Sequence, residues 1–209
     1  MGIAERRERE KQELREKILD KARDILIRDG QDNLSIRNIA SAAEYSPATI
    51  YLYFKDKDEI VYELMEMGFA LMVKDLESAF AEPDPVERIR IIGQGYVAFG
   101  LKNPEWYEIM FNAPQPIQHL EKCQAEWGHG ISLFEFLVET CQLVIDQRRT
   151  YVDEARLFAL HLWSAVHGLV NLAQSQRLEM VEQNGGETLI RKTIDSIMQC
   201  VLKPDLEKT

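Results

Sequence analysis

Long apolar runs are missing from this chain. None approaches the ~18–20 residues of a membrane-spanning helix, so no membrane segment is expected. The first residues, MGIAERREREKQELREK, are charged throughout. They lack the apolar stretch of a secretory signal, and Arg6 stands where N-myristoylation would need serine or threonine. The expected location is therefore cytoplasmic. Cysteine is scarce and odd in number: Cys123, Cys141 and Cys200 are far apart. They have the spacing of neither a disulfide framework nor a zinc site and read as small buried apolar residues. No glycine-rich phosphate loop, nucleophile elbow or nucleophile–base pairing is present, so neither catalysis nor a cofactor is expected.

Metal ligation is thinly supported as well. Glu126-x-x-His129 has half of a di-iron spacing, but a second Glu-x-x-His is needed on another helix. None of His119, His161 or His167 has glutamate three residues before it. No metal is expected, and a sensor built from His119, Cys123 and His129 is the minor alternative.

Excess positive charge is lacking too. The net charge is −10, yet residues 1–60 carry 12 Lys+Arg against 13 Asp+Glu, while the remainder carries 13 against 22. Phosphate affinity depends on a local cationic face rather than on whole-chain charge. Arg6, Arg7, Arg9, Arg37, Lys55 and Lys57 can form one, although most of the charges from Arg6 to Lys17 read as a solvated helix with i,i+4 pairs.

What the chain does have is helical periodicity. Leu14, Ile18, Ala22, Ile25 and Leu26 recur on one face, and Gly30 is a stop signal. Ser35 is placed to cap a second helix carrying Ile36, Ile39, Ala40 and Ala43, and Ser46-Pro47 to start a third. Asp56 and Glu59 have capping-box spacing for a fourth, expected to run from Lys57 as far as Phe80. Breaks follow at 82–85, 103–104, 113–116 and 184–186, with long helices expected to about Gln147, over Tyr151 to about Met180, and over Glu187 to Leu202. The expected fold is all-α, about nine helices, with a head (1–60) and a larger body (61–209).

Two short helices around a tight turn predict a helix-turn-helix whose second helix enters a DNA major groove. Thr49, Tyr51 and Tyr53 offer hydroxyls and Lys55 and Lys57 add cations, while Ile50 and Phe54 fall on the buried side. The run from Ser35 through Ile39-Ala40, Ser46-Pro47-Ala48-Thr49-Ile50-Tyr51, Tyr53-Phe54-Lys55 and Lys57 to Ile60 resembles the DNA-binding signature of TetR-family transcriptional regulators. One departure stands out. Glu44 occupies the turn where the family usually has glycine, so a strained or re-shaped turn is expected. By this resemblance Ser35, Arg37, Ser46, Tyr51, Tyr53 and Lys57 anchor phosphates. Thr49, with Ala48 and Tyr45, reads bases.

The body carries a second resemblance. Phe99, Asn103-Pro104, Tyr107 and Met110-Phe111, with Trp163, His167 and Gly168, are similar to the C-terminal subtype named for its Trp-His-Gly residues. That resemblance implies a homodimer through the last two helices, a palindromic double-stranded operator, and a small hydrophobic effector that releases a repressor from it. Ile190, Ile194, Ile197 and Val201 make an apolar stripe on the last helix, to be buried in a dimer or within one chain. Tyr96, Phe99, Tyr107, Trp127, Trp163 and His167 are the candidate pocket residues, apolar surfaces with a few polar groups. Two rivals remain: a ligand-binding or enzymatic body whose head contacts protein, and a non-specific DNA binder.

Overall fold

The computed structural model describes residues 2–112, 128–181 and 186–204, with the backbone alone at Ile3 and Glu187. Eleven α-helices and one short 3-10 turn lie among the described residues, with no strand. They form two compact units. The first comprises 2–68 with 105–112; the second comprises 69–104, 128–181 and 186–204.

In the first unit, α1 (Ile3–Asp29) buries Ile18, Leu19, Ala22 and Ile25. Gly30 ends it at φ 77°, its N–H bonded to the Leu26 carbonyl at 3.2 Å. Ser35 caps α2 (Ile36–Ala43) by accepting from the Asn38 N–H at 3.2 Å. Ser46 caps α3 (Pro47–Ile50) in the same way, with Pro47 at the first helical position. Asp56 caps α4 (Lys57–Asp75), accepting from Glu59 N–H at 2.9 Å. The Glu59 carboxylate reaches back past the capping residue to the Lys55 N–H, so the box is one residue wider than its usual form.

A helix remote in sequence completes this core. α7 (Pro104–Phe111), expected with the body, buries Ile109 beside Ile18, Ile39, Ile50, Phe54 and Ile60. Arg23 stacks over the Trp106 ring at 5.4 Å. The backbone of Gly68 leaves room for Met110: a Cβ there would stand 2.6 Å from the Met110 Cγ.

The second unit begins inside α4, at Phe69. Leu76 N–H bonds to Met72 and Val73 carbonyls, and the helix expected to reach Phe80 breaks there into α5 (Glu77–Ala81). Asp84 caps α6 (Pro85–Lys102), accepting from Glu87 N–H at 3.2 Å. α6 packs with α8 (Gly128–Asp146) and α9 (Ala155–Gln174) around Ile89, Leu137, Cys141, Val144, Phe158 and Leu162. The expected helix to Met180 is interrupted: Gln176 adopts φ 58°, and a separate α10 spans Arg177–Val181. Finally, α11 (Gly186–Val201) buries Ile190, Ile194 and Met198 against its own chain. The loop before α9 ties down its end, with Thr150 Oγ1 donating to the Val201 carbonyl at 2.7 Å and Lys203 N–H to the Arg149 carbonyl at 2.8 Å.

Candidate nucleic-acid interface and apolar cavity

The turn between α2 and α3 is set by hydrogen bonding. Tyr45 N–H reaches the Ala40 carbonyl at 2.9 Å, and Glu44 N–H reaches that of Ser41 at 3.2 Å. This pair of bonds closes a helix around a left-handed residue, and Glu44 is that residue at φ 65°, ψ 38°. A side chain at positive φ costs about 1–2 kcal/mol, so the strain expected from the sequence is present in the geometry. Glu44→Gly is expected to stabilise the chain by about 0.5–1 kcal/mol, since glycine's larger unfolded-state entropy offsets part of the relief. Chemical denaturation measures this, and an unchanged or lower midpoint would contradict it.

α3 then points away from the core on one side only. Ile50 and Phe54 are buried, whereas Tyr45, Ser46, Ala48, Tyr51, Leu52 and Lys55 are exposed and Thr49, Tyr53 and Lys57 half-buried. The helix tightens at its end, where Leu52 N–H bonds to Thr49 O and Tyr53 N–H to Ile50 O. Tyr51 is 58% exposed. Lys17 stands over the Tyr45 ring at 5.2 Å, adding a cation from α1. Ser35 is half-buried and Arg37 exposed at the start of α2. Both capping serines accept N–H groups through oxygen, which leaves each hydroxyl proton available as a donor; Ser46 Oγ and Thr49 Oγ1 are 3.0 Å apart.

Sequence reasoning passed over Leu52. At 78% exposed it is the most uncovered large apolar side chain among the described residues of the first unit, directly beside Tyr51. Its signal was an apolar residue breaking the alternation of a helix whose buried side Ile50 and Phe54 already fill. Arg6 and Arg9, in contrast, pair with Glu10 and Glu13 along α1, as the i,i+4 spacing predicted.

In the second unit three of the candidate pocket residues meet. Tyr96 of α6 is buried, and its hydroxyl lies 3.0 Å from His167 Nδ1; Trp163 Nε1–H donates to that hydroxyl at 3.1 Å. Burial pushes the His167 imidazole below its ordinary pKa, favouring the neutral ring. Tyr96 and Trp163 also line an apolar cavity of about 50 Å³ with Ile89, Gly93, Ile194 and Met198. Phe99 is buried in α6 but is not part of that lining. Tyr107 belongs to the first unit, where its ring meets Phe111 at 4.7 Å. Trp127, His119 and Cys123 lie outside the described residues, and among those described no three His, Cys, Asp or Glu side chains gather as a metal site.

Burial explains Cys141, whose thiol is pushed up to about 12 by desolvation and stays protonated. No described helix is long and apolar enough to cross a membrane.

Residues 18–64 match the sequence profile described as bacterial regulatory proteins, tetR family, and residues 89–197 the profile described as tetracyclin repressor-like, C-terminal domain. A helix-turn-helix-type transcriptional regulator of Haemophilus influenzae is 29% identical over 121 residues, 54% of this chain and 65% of that protein. This chain thus spans just under two thirds of that relative's length. Among solved structures, a Rhodococcus sp. RHA1 protein has a TM-score of 0.71 at 23% identity, covering 91% of this chain and 96% of that one. A TetR-family transcriptional regulator from Haemophilus influenzae gives 0.63 at 21%, covering 92% and 98%. A fatty acid degradation regulator from Bacillus halodurans gives 0.67 at 16%, covering 88% and 94%. These three likenesses show the fold alone.

Proposed function

Because this chain belongs to the TetR family and is a DNA-binding transcriptional regulator, we propose that it is a dimeric repressor released from a palindromic operator by a small hydrophobic effector. The observation that carries the reading is the one-sided exposure of α3. Its buried side is anchored by Ile50 and Phe54, and its free side presents Tyr45, Ala48, Thr49, Tyr51 and Leu52. Ser35, Arg37, Ser46, Tyr51, Tyr53 and Lys57 fix phosphates and so set register; Thr49, Ala48 and Tyr45 read base edges. Leu52 adds an apolar surface suited to a thymine methyl. The functional division is a DNA-binding domain over 1–60 and an effector and dimerisation domain over 61–209, in a cytoplasmic protein.

Dimerisation runs through the last two long helices. The α11 stripe is already covered within the chain, so the free apolar surface is on α9. Leu157 and Leu160 are 41% and 46% exposed, Leu172 is exposed near the other end, and a Cβ on Gly168 would meet open space. A second copy of the same helix buries that face under a two-fold axis. Two heads on such an axis read two half-sites spaced by about one helical turn, ~34–36 Å, or a multiple.

Trp163, His167 and Gly168 form the Trp-His-Gly element of the body. Trp163 and His167 hold Tyr96 at the wall of the apolar cavity, where an effector lodges. An effector shifts the equilibrium only by binding one arrangement of the heads better than another.

Footprinting of the purified chain on the DNA flanking its own gene tests the reading. A protected palindrome of ~15–30 base pairs is expected from the half-site geometry. Equal affinity for scrambled DNA at every salt concentration would establish a non-specific binder instead.

A further inference from the structure

The inner cavity of about 50 Å³ is lined by Ile89, Ile92, Gly93, Tyr96, Trp163, Ile194 and Met198 among others, with no charged residue among the described lining. Outside it runs an open groove of about 610 Å³, made by the start of α6, the loop before α9 and the end of α11. Met198, only 3% exposed, lines both. One unbranched, easily repacked side chain is therefore the wall that cavity and groove share.

The groove differs from its surroundings in charge. Residues 61–209 hold 13 basic against 22 acidic side chains, yet the described residues lining the groove include Arg90, Arg149 and Lys203 against one carboxylate, Asp195. Arg90 bonds to Glu87 and Asp195, and Arg149 to Asp84. Lys203 has no carboxylate partner among the described residues; its Nζ lies 5.7 Å over the Tyr151 ring. Val86, Met198 and Leu202 supply the apolar floor. The walls are held together by the Thr150–Leu202 bridge and the Tyr151 N–H bond to Val201 O, so the backbone that carries Lys203 is fixed before any ligand arrives.

We propose that groove and cavity are the mouth and the interior of one binding site, which takes an organic anion with an unbranched apolar tail. The anionic group sits at the mouth on Lys203 and the outward edge of Arg90, and the tail passes Met198 into the space beneath Trp163 and Tyr96. This assignment rests on the reading that the second unit holds an effector, and it names that effector's class. A carboxylate drawn into the interior would lose its hydration without a cation to meet it; at the mouth it meets one in partial solvent. An uncharged tail fits the interior, where the neutral Trp163–Tyr96–His167 set is already hydrogen-bonded.

Gly93 supplies a clean probe of the interior. A Cβ there would lie 3.7 Å from Val166 Cγ1 and 3.8 Å from Ile194 Cγ2, ordinary contact that fills space without a clash. Within α6 alanine also favours the helix over glycine. Gly93→Ala should therefore raise the unfolding midpoint while narrowing the site.

Calorimetric titration of the full chain with decanoate, decanol and decyltrimethylammonium is the test, alongside release of operator DNA followed separately by fluorescence polarisation. Decanoate is expected to bind at least about tenfold more tightly than the other two at low salt, a preference that screening weakens. Lys203→Glu should remove that preference and leave decanol unaffected. Gly93→Ala should weaken decanoate and decanol together. Equal affinities, or a preference that survives Lys203→Glu, would overturn the anionic mouth; no binding of any probe would overturn the site. Decanoate binding without operator release keeps this site and removes the effector mechanism. Release by an uncharged compound, with decanoate inert, does the reverse.

Discussion

Phe54→Ala is expected to destabilise the chain by about 3–5 kcal/mol, the usual cost of deleting a large aromatic ring from a core. Phe54 is 1% exposed and packs with Ile18, Leu34, Ile39, Ile50 and Ile60. A further loss accompanies the cavity. The Arg15 guanidinium lies over the ring at 5.1 Å while it pairs with Glu63 of α4, so the ring is the platform on which that ion pair is oriented. The Phe54 N–H bond to the Ile50 carbonyl at 3.0 Å is a backbone contact that alanine keeps; it places the residue where the chain leaves α3 and turns into α4. With domain stabilities of about 5–15 kcal/mol, a loss of this size unfolds a substantial fraction of first units on mild warming. DNA binding should fail with it. Denaturant titration measures the loss, and a change under about 1 kcal/mol would show that the ring is not a core element.

The second large effect separates function from folding. Tyr51→Ala with Lys57→Ala should weaken operator binding by at least about thirtyfold. Each hydrogen bond or ion pair to phosphate is worth roughly 0.5–1.5 kcal/mol, and in a dimer both are removed from each head. Stability should stay within about 0.5 kcal/mol. Tyr51 is exposed, and Lys57 is the first residue of α4, where a cation opposes the helix dipole. Lys57→Ala alone should lower the slope of log affinity against log salt by about 1 for every phosphate the lysine would otherwise neutralise. Unchanged affinity with unchanged stability would assign the head to a protein partner.

Leu52 marks the limit of reading this helix from the chain alone. Its type says core, yet the short α3 and the turn after it bury only Ile50 and Phe54. The apolar stripe on the last helix has the same ambiguity. Periodicity shows that Ile190, Ile194 and Ile197 share a face, but not whether α6 and α9 or a second chain covers them. α6 and α9 bury Ile190 and Ile194 and half-cover Ile197, whereas Leu157, Leu160 and Leu172 of α9 stay exposed.

Local chemistry is what the amino-acid sequence determined by itself. Ser35, Ser46-Pro47, Asp56 and Gly30 act within one turn of their own position, so caps, stops and the helix-turn-helix were legible before any packing was known. The same holds for the strain at Glu44, because a left-handed turn residue is a property of its own φ and ψ. Tertiary structure alone decided what depends on residues far apart in the chain. It placed Ile109 of α7 in the core around Ile18 and Phe54. It brought Tyr96 to Trp163 and His167, and it set Met198 between an apolar cavity and the groove edged by Arg90 and Lys203. Spacing along a helix gives the face a side chain occupies; only the path of the whole chain determines which distant residue meets it there.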